Sequence, residues 1–202
     1  MKFYDLQKKI IKNPVFSFDD IFKLFPGENT AKLRVQLSHW TSQGKLTRLR
    51  RGLYCLSEAE FKDPFVLSEL IYSPSYISLE SALNFYGMIP DIPNSITAVS
   101  TNSPRVFNNR FGNFTYRKLK GDYFFGFNKI EVDAYFYLIA CPEKALLDYV
   151  YYKFRGIYSK EVSEMRLTFP SDFSFKKLKQ QSSVFKSSRI KLMVREVIND
   201  NE

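Results

Sequence analysis

The sequence has few of the residues that metal and catalytic sites use most often. Its 202 residues include one histidine, His39, and two cysteines, Cys55 and Cys141, which lie far apart in the chain. A zinc site or a disulfide framework needs several such side chains at short spacings, so we expect neither. A catalytic triad built on histidine and a centre with several histidine ligands are disfavoured for the same reason.

Long apolar runs are also missing. The longest run, Ala134–Cys141, is too short to cross a bilayer, and the lysines near the N terminus are not followed by the apolar core of a signal peptide. We therefore expect a cytoplasmic protein with no membrane partner. Neither a phosphate-binding glycine loop nor a nucleophile motif is present. We accordingly expect no enzyme activity, no catalytic residues, no metal and no cofactor.

Positive charge is plentiful, and its distribution along the chain is uneven. Hydrophobic residues make up 45% of the chain and aromatic residues 17%, enough for packed cores, and the net charge is +9. Residues 1–57 hold eleven Lys and Arg against four Asp and Glu, residues 58–172 hold twelve against fourteen, and residues 173–202 hold seven against three. Cations that neutralise phosphates release counterions, so basic ends of this kind favour a nucleic-acid partner.

The stretch Asn29–Leu56 contains no acidic residue and predicts a helix followed by a hairpin. Leu33, Leu37 and Trp40 recur at the spacing of one helical stripe. Gly44 follows where a glycine commonly ends a helix. Around the rest of this helix lie hydrogen-bonding side chains, none of them acidic, namely Lys32, Arg34, Gln36, Ser38, His39 and Gln43. This is the pattern of a helix with one face available to a partner.

The hairpin after this helix carries four cations and has its predicted turn at Arg51-Gly52. Leu46 and Leu49 fall on opposite faces of a regular strand, so we expect a bulge near Arg48. Two shorter helices precede this stretch, and the second of them has Ser17 as its expected N-cap. Helices and a basic hairpin within some 56 residues are typical of a winged helix-turn-helix domain.

In a winged helix-turn-helix domain the second helix of the motif enters the DNA major groove and the hairpin lies along the backbone. Arginine pairs with guanine and glutamine with adenine, whereas cations on the hairpin contact phosphates. The alternative is an amphipathic helix with a solvated face beside an ordinary hairpin. The candidate DNA-binding residues are Thr30, Lys32, Arg34, Gln36, Ser38, His39, Gln43, Lys45, Arg48, Arg50 and Arg51.

The sequence predicts an α+β protein with two domains. Residues 1–57 form the N-terminal winged helix-turn-helix domain, and an acidic linker follows. Residues 58–202 form a C-terminal mixed α/β domain, in which a small sheet is covered by helices and a basic helical tail ends the chain. The cations of this tail either add a DNA contact or form a solvated helical face.

Periodicity and breaker residues place several elements in the second domain. A helix is expected to start at Ser78 and to end at Gly87. The expected strands are 96–100, 113–119 and one from 129 or 130 to 139. One later helix is expected to begin at 142, and three more are expected over 160–167, 174–181 and 187–199.

Four blocks of the second domain occur in a characteristic order. They are YISLESALNFYGMIP at 76–90, ITAVST at 96–101, GNFTYRKL at 112–119 and LIACPEKALLDYVYY at 138–152. With these blocks the chain, over roughly residues 1–155, resembles the AbiEi family of antitoxins and transcriptional regulators. That family pairs with AbiEii nucleotidyltransferase toxins in bacterial phage-defence operons.

The resemblance implies the antitoxin of a type IV toxin–antitoxin system involved in abortive infection. Its reading helix would fall on 30–43 and its wing on 45–56. It would bind double-stranded operator DNA near its own promoter and repress its own operon. By the same resemblance, the second domain would counteract the toxin without forming a stable complex with it.

Two alternatives from other functional classes remain open, a metal-dependent nuclease and an RNA-binding module. Glu131 and Asp133 share a strand face, with Asp122 before them and Lys144 after them, which resembles a magnesium site only faintly. Lys144 is also placed to form an ion pair with Asp148 one helical turn later. That structural interpretation is favoured over a catalytic one, and the many aromatic residues fall mostly at core spacings.

Overall fold

The computed structural model describes residues 1–153 and 166–199, and the chain divides into two compact units. The first unit comprises Met1–Lys62 together with Phe107–Gly112, and the second comprises Asp63–Val106 together with Asn113–Glu202. Helices and strands occur in both, so the protein belongs to the mixed α+β class. The segment Phe107–Gly112 joins the first unit although it lies far along the chain.

The first unit alternates helices with short strands. Its elements are α1 Phe3–Ile10, β1 Val15–Ser17, α2 Phe18–Leu24, α3 Thr30–Ser42, β2 Leu46–Arg50 and β3 Leu53–Leu56. The strands form an antiparallel sheet in the order β1–β3–β2. Side chains from all three helices and from the sheet pack into one core, whose members include Leu6, Ile21, Leu37 and Leu46.

Local capping interactions define where the helices of the first unit begin. The Ser17 hydroxyl accepts a hydrogen bond from the Asp20 amide at 3.1 Å, and the Asp20 carboxylate accepts one from the Ser17 amide at 2.8 Å. This reciprocal pair is a capping box, and it confirms the predicted N-cap. The Asn29 side chain accepts from the amide of Ala31 at 2.9 Å at the start of α3, and Gly44 follows α3 with φ +72°.

The hairpin of β2 and β3 contains the expected bulge. The register of the two strands shifts between Arg48 and Arg50. This shift lets both Leu46 and Leu49 reach the core, where their side chains are 2% and 1% exposed. Gly52 occupies the turn with φ +78°, a conformation that other residues adopt only with strain. The predictions for the bulge and the turn are therefore confirmed.

The second unit is built around a mixed sheet. The strands of this sheet are β4 Ser75–Ile77, β5 Ile96–Ser100, β6 Arg105–Asn109, β7 Gly112–Lys118, β8 Phe127–Val132 and β9 Tyr135–Ala140. Their order is β6–β7–β5–β4–β9–β8, and residues 107–109 of the edge strand β6 are grouped with the first unit. β4 pairs antiparallel with β5 and parallel with β9, β5 pairs parallel with β7, and β8 pairs antiparallel with β9. The helices are α4 Phe65–Ile71, α5 Leu79–Phe85, α6 Pro142–Lys153, α7 Phe175–Ser182 and α8 Ser188–Asn199, with a 3₁₀ turn at Gly121–Tyr123.

The sequence-based prediction of a single strand from 129 or 130 to 139 is wrong. The segment forms the hairpin of β8 and β9, with Asp133 between the strands at φ +53°. An aspartate tolerates this left-handed conformation better than most residues, so the turn needs no glycine and leaves no strong break in the pattern. The short strands β1 and β4 were not predicted, because three residues are too few to show strand periodicity.

The predictions for the C-terminal part of the chain have mixed outcomes. The predicted helices at 174–181 and 187–199 are confirmed to within a residue by α7 and α8. The helix predicted over 160–167 lies outside the described residues except for 166 and 167, which are not helical. Within the described ranges, no helix combines the length and the apolar composition that crossing a bilayer requires.

Candidate nucleic-acid interface

Helix α3 separates an apolar side from a polar side. Leu33, Leu37 and Trp40 are buried in the core of the first unit. This orientation turns the intervening residues toward solvent, since they lie on the other side of the helix. Of the predicted site residues on or directly after α3, six are exposed, namely Thr30, Lys32, Arg34, Ser38, His39 and Gln43.

The other four predicted site residues lie on the β2–β3 hairpin or directly before it. Arg48 and Arg51 are exposed, as is Lys45 before β2, whereas Arg50 is half-buried. Arg50 donates a hydrogen bond from Nη1 to the carbonyl oxygen of Arg51 at 3.1 Å. Leu46 and Leu49 point into the core, so the bulge leaves Arg48 on the outward side. We call the exposed residues of α3 and of this hairpin the α3–hairpin surface.

The cations of the α3–hairpin surface are not neutralised. In the described part of the chain, no carboxylate forms an ion pair with the five cations Lys32, Arg34, Lys45, Arg48 and Arg51. Two of the five pack over aromatic rings instead. The guanidinium carbon of Arg34 lies 4.7 Å from the centre of the Phe18 ring, and Nζ of Lys45 lies 5.4 Å from that of Phe3. Such packing holds the side chains in place while their charge stays available to an anion.

Gln36 differs from the other predicted site residues. It is half-buried, and its side-chain nitrogen donates to the carbonyl oxygen of Met1 at 2.9 Å. In this arrangement the Gln36 amide faces the N-terminal residue. Helical periodicity could not reveal this contact, because Met1 and Gln36 are 35 positions apart in sequence. At the end of α3, the side-chain nitrogen of Gln43, the residue after the helix, lies 2.9 Å from Nε2 of His39.

Val35 belongs to the α3–hairpin surface although sequence reasoning did not select it. Its side chain is 68% exposed, and it lies three residues after Lys32 and four before His39, on the same side of the helix. An exposed apolar side chain can contact another apolar group, such as the methyl group of a thymine if the partner is DNA. The available signal was a valine outside the buried stripe, which a search restricted to polar residues passes over.

The second unit contains a buried polar cluster, whose residues come from the two sequence blocks 76–90 and 138–152. Nζ of Lys144 forms an ion pair with the Asp148 carboxylate and donates to the hydroxyl of Tyr76 at 2.8 Å. The hydroxyls of Tyr76 and Ser78 each donate to Asp148 Oδ2 at 2.8 Å. Ser78 precedes α5 as predicted. Its hydroxyl caps no amide of that helix and donates to Asp148 instead.

Complete burial determines what this cluster can do. The side chains of Lys144 and Asp148 have no exposed surface. Burial lowers the pKa of Lys144, raises the pKa of Asp148, and raises the pKa of Tyr76 well above its usual range, where the nearby Asp148 carboxylate adds to the effect. A substrate cannot reach these atoms, so the cluster fixes β4 and α5 against α6. The predicted ion pair of Lys144 with Asp148 is confirmed.

Glu143, next to Lys144, makes a second link in the same unit. Its side chain is 2% exposed, and Lys177 of α7 lies 2.9 Å from it. The Ser174 amide donates to its other oxygen at 3.0 Å. Burial acts to raise the pKa of Glu143, but the hydrogen bonds from Lys177 and Ser174 outweigh it, and the pKa lies below its usual value.

The residues considered for a magnesium site make other contacts in the structure. Glu131 pairs with Lys129 at 2.7 Å on the surface, whereas Lys144 lies in the buried cluster. Over residues 1–153 and 166–199, no three His, Cys, Asp or Glu side chains are grouped so that they could hold a metal ion.

Comparison with known proteins adds no further constraint. No family model matches the chain, and no curated protein matches its sequence.

Proposed function

We propose that this protein is a sequence-specific DNA-binding transcriptional regulator that acts as the antitoxin of an AbiE-like type IV toxin–antitoxin system. It would repress its own operon and counteract a nucleotidyltransferase toxin. The observation that carries the DNA-binding part is the α3–hairpin surface, where five cations have no carboxylate partner in the described chain. The antitoxin part depends on the resemblance of the sequence blocks to the AbiEi family.

The arrangement of the first unit supports duplex DNA as the ligand. An α-helix fits the major groove, and exposed polar side chains along it can meet base edges there. In this proposal α3 is the reading helix, and β2 with β3 is the wing of a winged helix-turn-helix domain. Arg48 and Arg51 would then bind phosphates and supply affinity that does not depend on sequence.

The sequence blocks on which the antitoxin assignment depends lie in the second unit. The blocks 76–90 and 138–152, which carry the resemblance, also supply Tyr76, Ser78, Lys144 and Asp148 of the buried cluster. Their residue types therefore have a structural reason in this fold, because each makes a buried hydrogen bond or ion pair. In the proposal, the second unit carries the antitoxin activity.

The DNA-binding part is tested by a mobility-shift assay with the promoter region of the protein's own operon and a shuffled duplex of equal length. We expect the promoter to bind more tightly, and the variant carrying Arg48→Ala and Arg51→Ala to lose affinity for both duplexes. The matched control carries Lys8→Ala and Lys12→Ala, which removes the same charge from two other exposed positions of the first unit. Equal losses in both variants would refute a specific role for the hairpin.

The antitoxin part is tested by co-expressing the protein with an AbiEii-type nucleotidyltransferase toxin and measuring growth. We expect wild-type protein to rescue growth, and the Arg48 and Arg51 variant to rescue it equally well despite losing DNA binding. Point variants are preferable to a truncation after residue 57, because Phe107–Gly112 packs in the first unit. There Arg110 donates to the carbonyl of Ala59 at 2.9 Å, and the rings of Phe61 and Phe111 lie 5.2 Å apart.

A further inference from the structure

The second unit has a cleft that the proposed function does not use. Its volume is about 510 Å³, which falls within the range of sites for small ligands. The cleft is lined by Pro104, Arg117, Lys118, Lys120, Tyr151 and Tyr152. These residues come from the segment before β6, from the end of β7 and the chain after it, and from the last turn of α6.

The charged residues that the structure describes in the lining of this cleft are all positive. Arg117, Lys118 and Lys120 are exposed, and no acid is found among the described lining residues. Among residues 1–153 and 166–199, these three cations form no ion pair with a carboxylate. Other cations of the same unit do pair, since Lys129 contacts Glu131 and Lys177 contacts Glu143. The cleft therefore concentrates positive charge that an anionic ligand would neutralise.

Tyr151 and Tyr152 form an aromatic wall of the cleft, the tyrosine wall, which contacts with neighbouring residues hold in place. The hydroxyl of Tyr152 donates to the backbone carbonyl of Lys118, and the guanidinium carbon of Arg117 lies 5.8 Å from the centre of the Tyr152 ring. The Tyr151 ring meets that of Tyr152 edge-on at 5.1 Å and that of Tyr123 at 5.6 Å. The aromatic surface is thus anchored to both β7 and the 3₁₀ turn.

We propose that this cleft binds a nucleotide unit, with its phosphates on the three cations and its base against the tyrosine wall. Cations beside aromatic rings or guanidinium planes are the combination by which proteins bind unpaired nucleotides. The unit could belong to a free nucleoside triphosphate or to single-stranded RNA, which present the same chemistry. This site is separate from the α3–hairpin surface in its residues and in its ligand, so it stands or falls independently of DNA binding.

The ligand is tested by calorimetry on the full chain with four probes: ATP, UTP, an oligouridylate of about 12 nucleotides, and inorganic pyrophosphate. We expect at least one nucleotide probe to bind about tenfold more tightly than pyrophosphate, because only nucleotides offer a base for stacking. Stronger binding of the oligonucleotide than of the triphosphates assigns the site to RNA, and the reverse assigns it to a free nucleotide. Pyrophosphate binding as tightly as any nucleotide, or no binding of any probe, overturns the proposal.

The location is tested with charge variants of equal size. Arg117→Ala with Lys120→Ala should weaken nucleotide binding about tenfold or more, and should lower the salt slope of RNA binding by roughly 1.4 units for two phosphates. Lys176→Ala with Arg189→Ala removes the same charge from exposed positions of α7 and α8, and should change affinity less than about twofold. Equal losses in the two variants, or a loss that appears only with Arg48→Ala and Arg51→Ala, would place the binding elsewhere.

The aromatic wall is tested at Tyr152. Tyr152→Phe keeps the ring and removes the hydrogen bond to Lys118, whereas Tyr152→Leu removes the ring. We expect Tyr152→Phe to bind nucleotide nearly as well as wild-type protein, and Tyr152→Leu to lose about tenfold. Circular dichroism melting curves verify that both variants are folded. If both folded variants bind as wild-type protein does, the tyrosine wall is not part of the site and the proposal fails.

Discussion

The exposed cations of the first unit and the buried lysine of the second unit use positive charge in opposite ways. In the first unit Lys32, Arg48 and Arg51 lie in solvent without a carboxylate partner in the described chain. In the second unit Lys144 is fully buried against Asp148. A cation in water costs the fold little, whereas a buried cation must be paired and hydrogen-bonded to be tolerated. The comparison separates cations that are available to a ligand from a cation that the fold itself requires.

The largest expected effect comes from breaking the buried pair. Asp148→Ala leaves the Lys144 ammonium buried without its counter-charge, so we expect the second unit to lose about 3–5 kcal/mol of stability. Urea unfolding followed by circular dichroism measures this loss. The only tryptophan, Trp40, lies in the core of the first unit, so its fluorescence transition should move much less.

The double variant Lys144→Met with Asp148→Leu is the matched control, because it removes both charges at once and keeps apolar volume. We expect it to be far more stable than Asp148→Ala, since removing a whole buried ion pair is often neutral. A double variant as unstable as the single variant would show that hydrogen bonds to Tyr76 and Ser78, rather than charge, dominate the cluster.

The second expected effect concerns the exposed cations of the hairpin. Removing Arg48 and Arg51 together should lower the salt slope of DNA binding by about 1.8 units, because each phosphate contact contributes roughly 0.9. At a salt concentration of about 0.1 M this corresponds to a loss of some 2–3 kcal/mol on every duplex. Binding isotherms at several salt concentrations measure the slope. An unchanged slope would mean that the hairpin does not touch DNA.

The third expected effect tests whether Gln36 belongs with the exposed site residues. Gln36→Ala should cost roughly 1–3 kcal/mol on the operator and little on random DNA. For this the amide must turn from the Met1 carbonyl toward a base edge. Competition binding with both duplexes makes the measurement. Equal losses on both, together with a lower midpoint of the Trp40 fluorescence transition, would instead assign Gln36 to holding the N-terminal residue.

The smallest expected effect compares an ion pair whose carboxylate is buried, that of Glu143 with Lys177, with an ion pair that lies wholly in solvent. Glu143→Gln should cost about 1 kcal/mol at neutral pH, because it weakens the contacts with Lys177 and Ser174. Glu131→Gln is the control, and it should cost close to nothing since its pair with Lys129 lies in solvent. Denaturant unfolding at a series of pH values measures both.

The pH dependence of the Glu143 effect follows from the direction of its pKa shift. The folded-state pKa lies below the usual value of 4.5, so the unfolded chain takes up a proton first as the pH falls. The stability that Glu143 contributes is therefore present above about pH 4.5 and is lost as the pH drops through its lower folded-state pKa. A difference between wild type and Glu143→Gln that grows toward acid pH would contradict this assignment.

Several features of the first unit could be predicted because they depend on near neighbours in sequence. The capping box of Ser17, the glycine after α3 and the turn at Gly52 each involve only a few adjacent residues. The bulge near Arg48 could be inferred from two leucines of opposite parity, since both had to be buried. The hairpin at Asp133 was missed because neither a glycine nor a proline marks its turn, so the local sequence gives no sign that the strand ends there.

The contacts of the candidate sites were only partly predictable. The exposed face of α3 could be read from its buried stripe, but the contact of Gln36 with Met1 could not. In the second unit the spacing of Lys144 and Asp148 predicted their ion pair. It did not predict their burial, nor the hydroxyls of Tyr76 and Ser78, which are 72 and 70 positions away from Asp148.

The sequence by itself determined which segments form α3 and the β2–β3 hairpin, and that this stretch of the chain carries cations and no acids. Only the tertiary structure decided which cations remain in solvent and which is enclosed, and that Arg117 and Tyr152 line one cleft. The physical reason is that helix periodicity, caps and turns arise from residues a few positions apart. Burial and clefts arise from segments that meet only when the sheet and its covering helices assemble.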